Sequence, residues 1–263
     1  MLNHLTVSLP DNHFHRQCSA YFGMPLISLV RLLRLKRAAY QLAYRSEKKV
    51  IDIAMASGYD SHEAFSRSFK RHFNKSPSEF RRSQDWSTWQ SRYEPVLKLR
   101  TKIMSDKVDF DVKVVEFPAT PIAVLEHRGS PALIGETVKK FISWRKETGL
   151  PPNKSRTFNL IYEDPSTVAP DDYRMDICCA VKGPIELNDQ GVINKQIPQG
   201  RCAVIRHIGS DDTIGVAVNF LYYQWLQDSG YHVRDFPIFF ERVSFFPEVP
   251  ENEMITDIYL PLE

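Results

Sequence analysis

The stretch VIDIAMASGYDSHEAFSRSFKRHFNKSPSEFRR, Val50 to Arg82, decides how the first third of the chain is read. Val50, Ile51, Ile53, Ala54 and Ala56 make a short apolar helix that Gly58 can end in a left-handed turn. Asp60 or Ser61 can cap a second helix, since either side chain can accept from the free N–H groups of its first turn. In that second helix Ala64, Phe65, Ser68, Phe69 and Phe73 form a stripe at helical spacing, and His62, Glu63, Ser66, Arg67, Lys70 and Arg71 lie opposite. Asn74 can end it. Ser76, Pro77 and Glu79 then open a third helix with a near capping box. Helix, tight turn and basic helix make a helix-turn-helix, whose second helix can lie in a DNA major groove.

A small bundle with a solvated basic face would show much of this pattern. The detail goes further. I-A with a small-residue turn, G-Y, F-S-R-S-F-K and S-P-S-E-F-R together resemble the second helix-turn-helix of AraC-type transcriptional regulators over about thirty residues. HFHRQCSAYFGM (His13 to Met24) resembles the first recognition helix of that family, with Asp11 as cap for a helix from Asn12 to Phe22 and Gly23 at its end. Two departures stand out: the helix that precedes this unit in the family is missing, and Cys18 stands where a large aromatic is usual. They imply either a weakened first unit or a start further upstream. Residues 25–47 read as one long helix, with Leu26, Leu29, Val30, Leu33, Ala38, Leu42 and Ala43 at three and four. Its Arg34–Leu42 portion resembles the helix that connects the two units.

Charge divides the chain in the same place. Residues 1–105 hold 18 Lys+Arg against 8 Asp+Glu, and residues 106–263 hold 16 against 24. A basic module that binds a polyanion, joined to an acidic domain with other business, fits that asymmetry. The sequence has no run of 18 apolar residues and no basic start leading into an apolar core, so neither a membrane span nor a secretory signal is expected. Cys18, Cys178, Cys179 and Cys202 have the spacing of neither a disulfide framework nor a zinc site, which points to a reducing cytoplasm. Residues 84–106 read as a partly ordered linker, with Trp86, Trp89 and Tyr93 exposed and Pro95 breaking any helix.

From Val108 the pattern alternates, as in VDFDVKVVEF. Pro118–Val138 then aligns with Pro198–Val218, sharing Ala123/Ala203, Val124/Val204, His127/His207, Gly129/Gly209 and Gly135/Gly215, 80 positions apart. A one-residue slip follows, after which Trp144 aligns with Trp225 and Met175–Ile177 with Thr256–Ile258. Two copies mean a duplication, not a solenoid. Each copy reads strand, loop, helix, strand, strand. The helices are expected at Leu133–Thr148 and Thr213–Ser229, and the later strands at Phe158–Glu163, Asp172–Val181, Phe239–Phe246 and Met254–Leu262. The fold expected is therefore two domains: an all-α tandem helix-turn-helix domain (1–83), the linker (84–106), and an α+β domain of two pseudo-symmetric strand-helix-strand-strand repeats (107–263). The second domain, through LIYEDP, YRMDICCAV, FFER and TDIYLPL, resembles the gyrase-inhibitor-like effector-binding domains.

Glu241 is a carboxylate inside the apolar strand IFFERVSFF, and Asn159 reads as its counterpart in the first copy. From the strand alone it is either an outward solvated residue or one placed in a cleft. The resemblance implies that it contacts a ligand, framed by Tyr162, Tyr223, Trp225 and Phe240, and aromatic faces around a carboxylate suit a cationic or polarised apolar molecule. His127 and His207 recur at one loop position, where anchoring hydrogen bonds explain them better than a metal. No cofactor motif, nucleophile arrangement or phosphate loop is present, and no catalytic residue is assigned. By position in the matching helices, base contacts fall to Asn12, His15 and Arg16 in the first unit and His62, Glu63 and Arg67 in the second. Phosphate contacts fall to Lys70, Arg71, Lys75 and Arg82. The expected partners are double-stranded DNA, a small-molecule effector and RNA polymerase, with no membrane and with the protein a monomer or weak dimer. A small-molecule hydrolase, or a domain that sequesters another protein, is the alternative for the second domain. The basic module argues against both.

Overall fold

The computed structural model describes residues 16, 19–107, 110–165 and 167–263. They fall into two compact units, Met1–Ile103 and Met104–Glu263.

The first unit is helical: α1 (Leu26–Tyr44), α2 (Val50–Ala56), α3 (His62–Phe73), α4 (Pro77–Arg82) and most of α5 (Ser87–Lys107). Several boundaries have a local cause. Ser61, not Asp60, caps α3 by accepting from the Ala64 N–H at 3.1 Å, and Asn74 ends it at φ 56°. Ser76 and Glu79 form the complete capping box of α4. Glu63 in the first turn of α3 and Lys70 and Arg71 in the last both suit the helix dipole. Gly58 sits at φ 75° between α2 and α3, and a Cβ there would come within 3.0 Å of the Arg34 guanidinium. Gly58→Ala should therefore cost the helical unit about 1–2 kcal/mol in a thermal melt. An unchanged melt would mean that the turn relaxes freely.

The segment expected as a linker is largely part of this unit. Asp85 accepts from the Ser87 N–H and opens α5, which runs through Pro95 without breaking. Trp89, Tyr93 and Val96 are buried in the same core as Leu35, Ile53, Phe65, Phe69 and Phe80, with Trp86 packed against it. Pro95 is exposed, so its ring meets solvent, and burial of the aromatic face outweighs the roughly 3 kcal/mol a mid-helix proline costs. Lys36, buried in α1, has its ammonium 4.6 Å from the Tyr93 ring centre and 5.4 Å from that of Trp89.

The second unit is one eight-stranded antiparallel sheet. Its elements are β1 (Lys113–Phe117), β2 (Thr120–Arg128), α6 (Ile134–Glu147), β3 (Thr157–Ile161), β4 (Arg174–Ala180), β5 (Ile193–Ile197), β6 (Gly200–Ile208), α7 (Ile214–Phe220), a π-helical turn (Leu221–Trp225), α8 (Leu226–Ser229), β7 (Ile238–Arg242) and β8 (Ile255–Pro261). The strand order is β1-β6-β8-β7-β3-β4-β2-β5. The two halves mirror each other about the β3–β7 pair. Strand β5, which the repeat pattern did not reveal, is the counterpart of β1. Each copy's leading strand crosses to the other copy, β1 onto β6 and β5 onto β2. The π turn lies between the start of the second helix, offset 80 from the first, and Trp225, offset 81. It houses the one-residue slip by widening a single turn.

Side chains alternate between two faces. One face carries the helices: α6 packs on Leu125, Ile177 and Cys179, and α7 on Ile205, Ile258 and Leu260. The helix-free face buries Phe117, Val124, Phe158, Leu160, Cys178, Phe239 and Tyr259 against one another. On a flat sheet β1 and β7, three strand steps apart, would be separated by about 14 Å. The Phe117 and Phe239 ring centres are 4.9 Å apart, so the sheet curls around this face and makes it an inner one.

Candidate functional site

Two surfaces carry the candidate groups, one in each unit. On α3, Phe65, Phe69 and Phe73 are fully buried, and His62, Glu63, Arg67, Lys70 and Arg71 are exposed on the other side. The aromatic anchor fixes how the helix rolls, and so which side chains face out. Arg82 is exposed nearby in sequence, and Lys75 is tethered to the Ser83 carbonyl at 2.9 Å. The Glu63 carboxyl is held below its usual range by backbone and Ser61 hydrogen bonds at the helix start. It therefore stays an acceptor. In the first unit Arg16 is exposed, whereas Asn12 and His15 lie outside the described residues.

In the second unit the pseudo-twofold passes through the Asn159↔Phe240 pair, because an 81-residue shift carries that pair onto itself. The counterpart of Glu241 is accordingly Leu160, not Asn159: Phe158 faces Glu241, and Leu160 faces Phe239. Glu241 thus points to the inner face beside the axis, with its side chain 14% exposed. Arg156, at the entry to β3, donates Nε and a terminal N–H to the two carboxylate oxygens, both at 2.6 Å. The Arg156 guanidinium carbon also lies 5.0 Å from the Phe158 ring centre and 5.4 Å from that of Phe117. Tyr259 donates its hydroxyl to Glu241 at 3.4 Å. Burial, and then the negative Glu241 and Asp257, push the Tyr259 phenol up to about 12, so it remains a donor.

Asp257 stands directly across from Glu241 on β8. Its own partner, Arg206, donates to both of its oxygens at 2.7 Å. Two adjacent carboxylates repel, and each is held by its own arginine. The corresponding Asp176 of the first copy is paired differently: Tyr162 and Lys195 both donate to it at 2.8 Å, and Lys195 also reaches Glu126 at 2.7 Å. These groups, with Arg128 and Arg174, line a cavity of about 190 Å³.

The aromatic frame expected around Glu241 is not assembled there. Phe240 is adjacent to Glu241 in the strand, so it points to the opposite face and packs with the helix. Trp225 belongs to that same cluster and stacks on Tyr231 at 5.9 Å. Tyr223 is 69% exposed on the π turn. Tyr162 shares the inner face but bonds to Asp176. The rings that do meet the Glu241 group are Phe117, Phe158 and Tyr259. Their places in the strands mark them as core residues, and only the curl of the sheet brings them to Glu241.

His127 and His207 are loop anchors. His127 contacts the Thr137 hydroxyl at 2.8 Å and the Ser130 carbonyl at 3.2 Å, and His207 contacts the Ser210 carbonyl at 3.0 Å. Burial pushes the His207 pKa down. Among the described residues, no group of three or more His, Cys, Asp or Glu is placed to hold a metal, and no helix is long and apolar enough to cross a membrane.

Comparison with known proteins covers both units. Residues 110–263 match the family model of the GyrI-like small molecule binding domain, and residues 6–83 match a helix-turn-helix domain. The probable transcriptional regulator YgiV of Escherichia coli K12 is 45% identical over 153 residues, which are 58% of this chain and 96% of YgiV. The crystal structure of the EcmrR C-terminal domain covers 59% of this chain and 99% of its own, with a TM-score of 0.50 at 18% identity. EcmrR in its DNA complex covers 95% of this chain and 82% of its own, with a TM-score of 0.50 at 15% identity. At these identities the two structures speak for the fold alone. The chain belongs to the GyrI-like small molecule binding domain family and carries an AraC-type helix-turn-helix domain in front of it, the domain pair of a transcriptional regulator.

Proposed function

We propose that the chain is a one-component regulator: α3 reads a DNA major groove, and the inner face of the second unit binds a small organic cation at Glu241. The single observation that carries the first half is the exposed row His62, Glu63, Arg67, Lys70 and Arg71 on a helix fixed by three buried phenylalanines. Arginine pairs bidentately with guanine and glutamate accepts from cytosine N4, so Arg67, Glu63 and His62 read bases while Lys70 and Arg71 hold phosphates. Asn12, His15 and Arg16 make the corresponding contacts from the first unit. Two units on one chain read adjacent major-groove segments about 34 Å apart, so the protein acts as a monomer on an asymmetric site. RNA polymerase is the third partner in this reading. It is supported by the similarity to EcmrR, which the EcmrR-RPo structure describes with DNA.

The ligand half rests on Glu241, a carboxylate largely shielded from solvent beside aromatic rings, where a cation is favoured. The same contacts suit charge recognition better than hydrolysis, because the carboxylate is engaged on both oxygens and the Tyr259 phenol keeps its proton.

The test is footprinting with a salt series. Arg67→Ala should cost roughly 1–3 kcal/mol on the cognate site and relax its sequence preference, while Lys70→Ala should weaken all sequences alike and lower the salt slope by about one. Equal losses on random DNA for both variants, or a symmetric footprint held by a dimer, would overturn the reading.

A further inference from the structure

We infer that Arg156 is a resident occupant of the effector site and that the effector is an aromatic amidinium- or guanidinium-type cation that takes its place. The inference rests on the reading of Glu241 as the ligand-binding acid and adds the ligand's headgroup chemistry and what it must displace. Arg156 makes the contacts such a ligand would make. Two N–H groups meet the two oxygens of Glu241 in parallel, each at 2.6 Å, and the guanidinium plane lies near two aromatic rings. Ammonium groups offer a point charge; only a planar fork of donors reproduces this bidentate match.

Exposure sets the order of layers. The Arg156 side chain is 44% exposed and that of Glu241 is 14% exposed, so the arginine covers the acid from the solvent side and can swing away from it. Electrostatics then fixes the ligand's charge. With Arg156 in place, Glu241 and Asp257 are matched by Arg156 and Arg206. With Arg156 turned out to solvent, two adjacent carboxylates share Arg206, and the site is left with one uncompensated negative charge. An unpaired, mostly buried charge is costly, so a monovalent cation is required before Arg156 can leave. A neutral aromatic does not meet that need. The ion pair therefore sets a threshold: weak cations fail to displace the arginine, and the site discriminates by competition, since part of the ligand's binding energy goes to separating Arg156 from Glu241.

Isothermal titration of the full chain with benzamidinium, and with neutral benzamide as its isostere, tests this at about pH 8, above the ordinary carboxylate range. Arg156→Ala is expected to bind benzamidinium roughly tenfold tighter than wild type or more, with benzamide binding unchanged. Arg156→Lys, which keeps a charge but loses the fork, should fall between the two. Adding Glu241→Gln to Arg156→Ala should remove the gain. If Arg156→Ala melts early, Arg156→Gln carries the same test, because it preserves most of the stem. Equal benzamidinium affinity in wild type and Arg156→Ala, both lost with Glu241→Gln, would overturn the competition while leaving Glu241 as the ligand acid. A gain that survives Glu241→Gln would place the cation elsewhere and overturn the underlying reading too.

Discussion

Phe69→Ala is expected to cost the helical unit about 3–5 kcal/mol, a large share of the stability a domain of its size has. Phe69 has no exposed surface. Its ring stacks on Phe73 at 4.3 Å, meets Phe80 edge-on at 5.4 Å and touches Phe65 at 5.5 Å. Removing it empties the point where α3 and α4 meet, and the remaining rings cannot all close in without leaving their rotamers. The second unit has its own buried clusters, so calorimetry should show its transition unchanged while the first moves down or disappears. DNA binding should go with the first transition. A cost under about 1 kcal/mol, or a common shift of both transitions, would contradict this account of α3.

Arg145→Met should be the most damaging single change in the second unit away from its apolar core, at roughly 3 kcal/mol. Arg145 is 5% exposed in the last turn of α6. Its guanidinium donates to the Leu150 carbonyl at 2.6 Å, the Thr157 hydroxyl at 2.6 Å and the Ser155 carbonyl at 2.9 Å. These neutral acceptors tie the end of the helix to the start of β3, next to Arg156. Methionine retains the apolar stem and strips off the donors, leaving buried acceptors unmet. Against that loss stands the relief of no longer burying a charge, which burial already disfavours. Urea unfolding of the variant decides which side dominates. Stability equal to wild type would mean the two terms cancel.

Much of the helical unit could be read from its letters because its signals are local. Ser61, Asn74, Ser76, Pro77 and Glu79 each act within one turn of where they stand. The same logic was available for Trp86, Trp89, Tyr93 and Val96, which recur at helical spacing, but Pro95 hid it: a proline on the exposed side costs less than that aromatic face gains. In the second unit the duplication exposed the element order. It did not expose β5, since INKQI and KVVEF share only their position within the repeat. Strand alternation alone puts Phe240 on the face opposite Glu241, and the frame expected from the family resemblance runs against it. The Arg156–Glu241 pair was beyond reach, because it joins residues 85 apart through the β3–β7 register, which no local pattern encodes.

The exchange of β1 and β5 between the copies has a consequence for how the site came to be lopsided. Neither half is self-sufficient: each would leave its β2 or β6 edge waiting for a strand that the other half provides. Two identical polypeptides could satisfy one another in the same way, as a twofold pair, but every residue near the axis would then occur twice. A glutamate at the Glu241 position would lie diagonally across the β3–β7 pair from a second copy of itself, and like charges so placed would oppose assembly. Fusing the halves into a single polypeptide frees the two positions to drift apart, acid on one side and Leu160 on the other. Covalent linkage thus turns a symmetric cradle into one with a head and a tail.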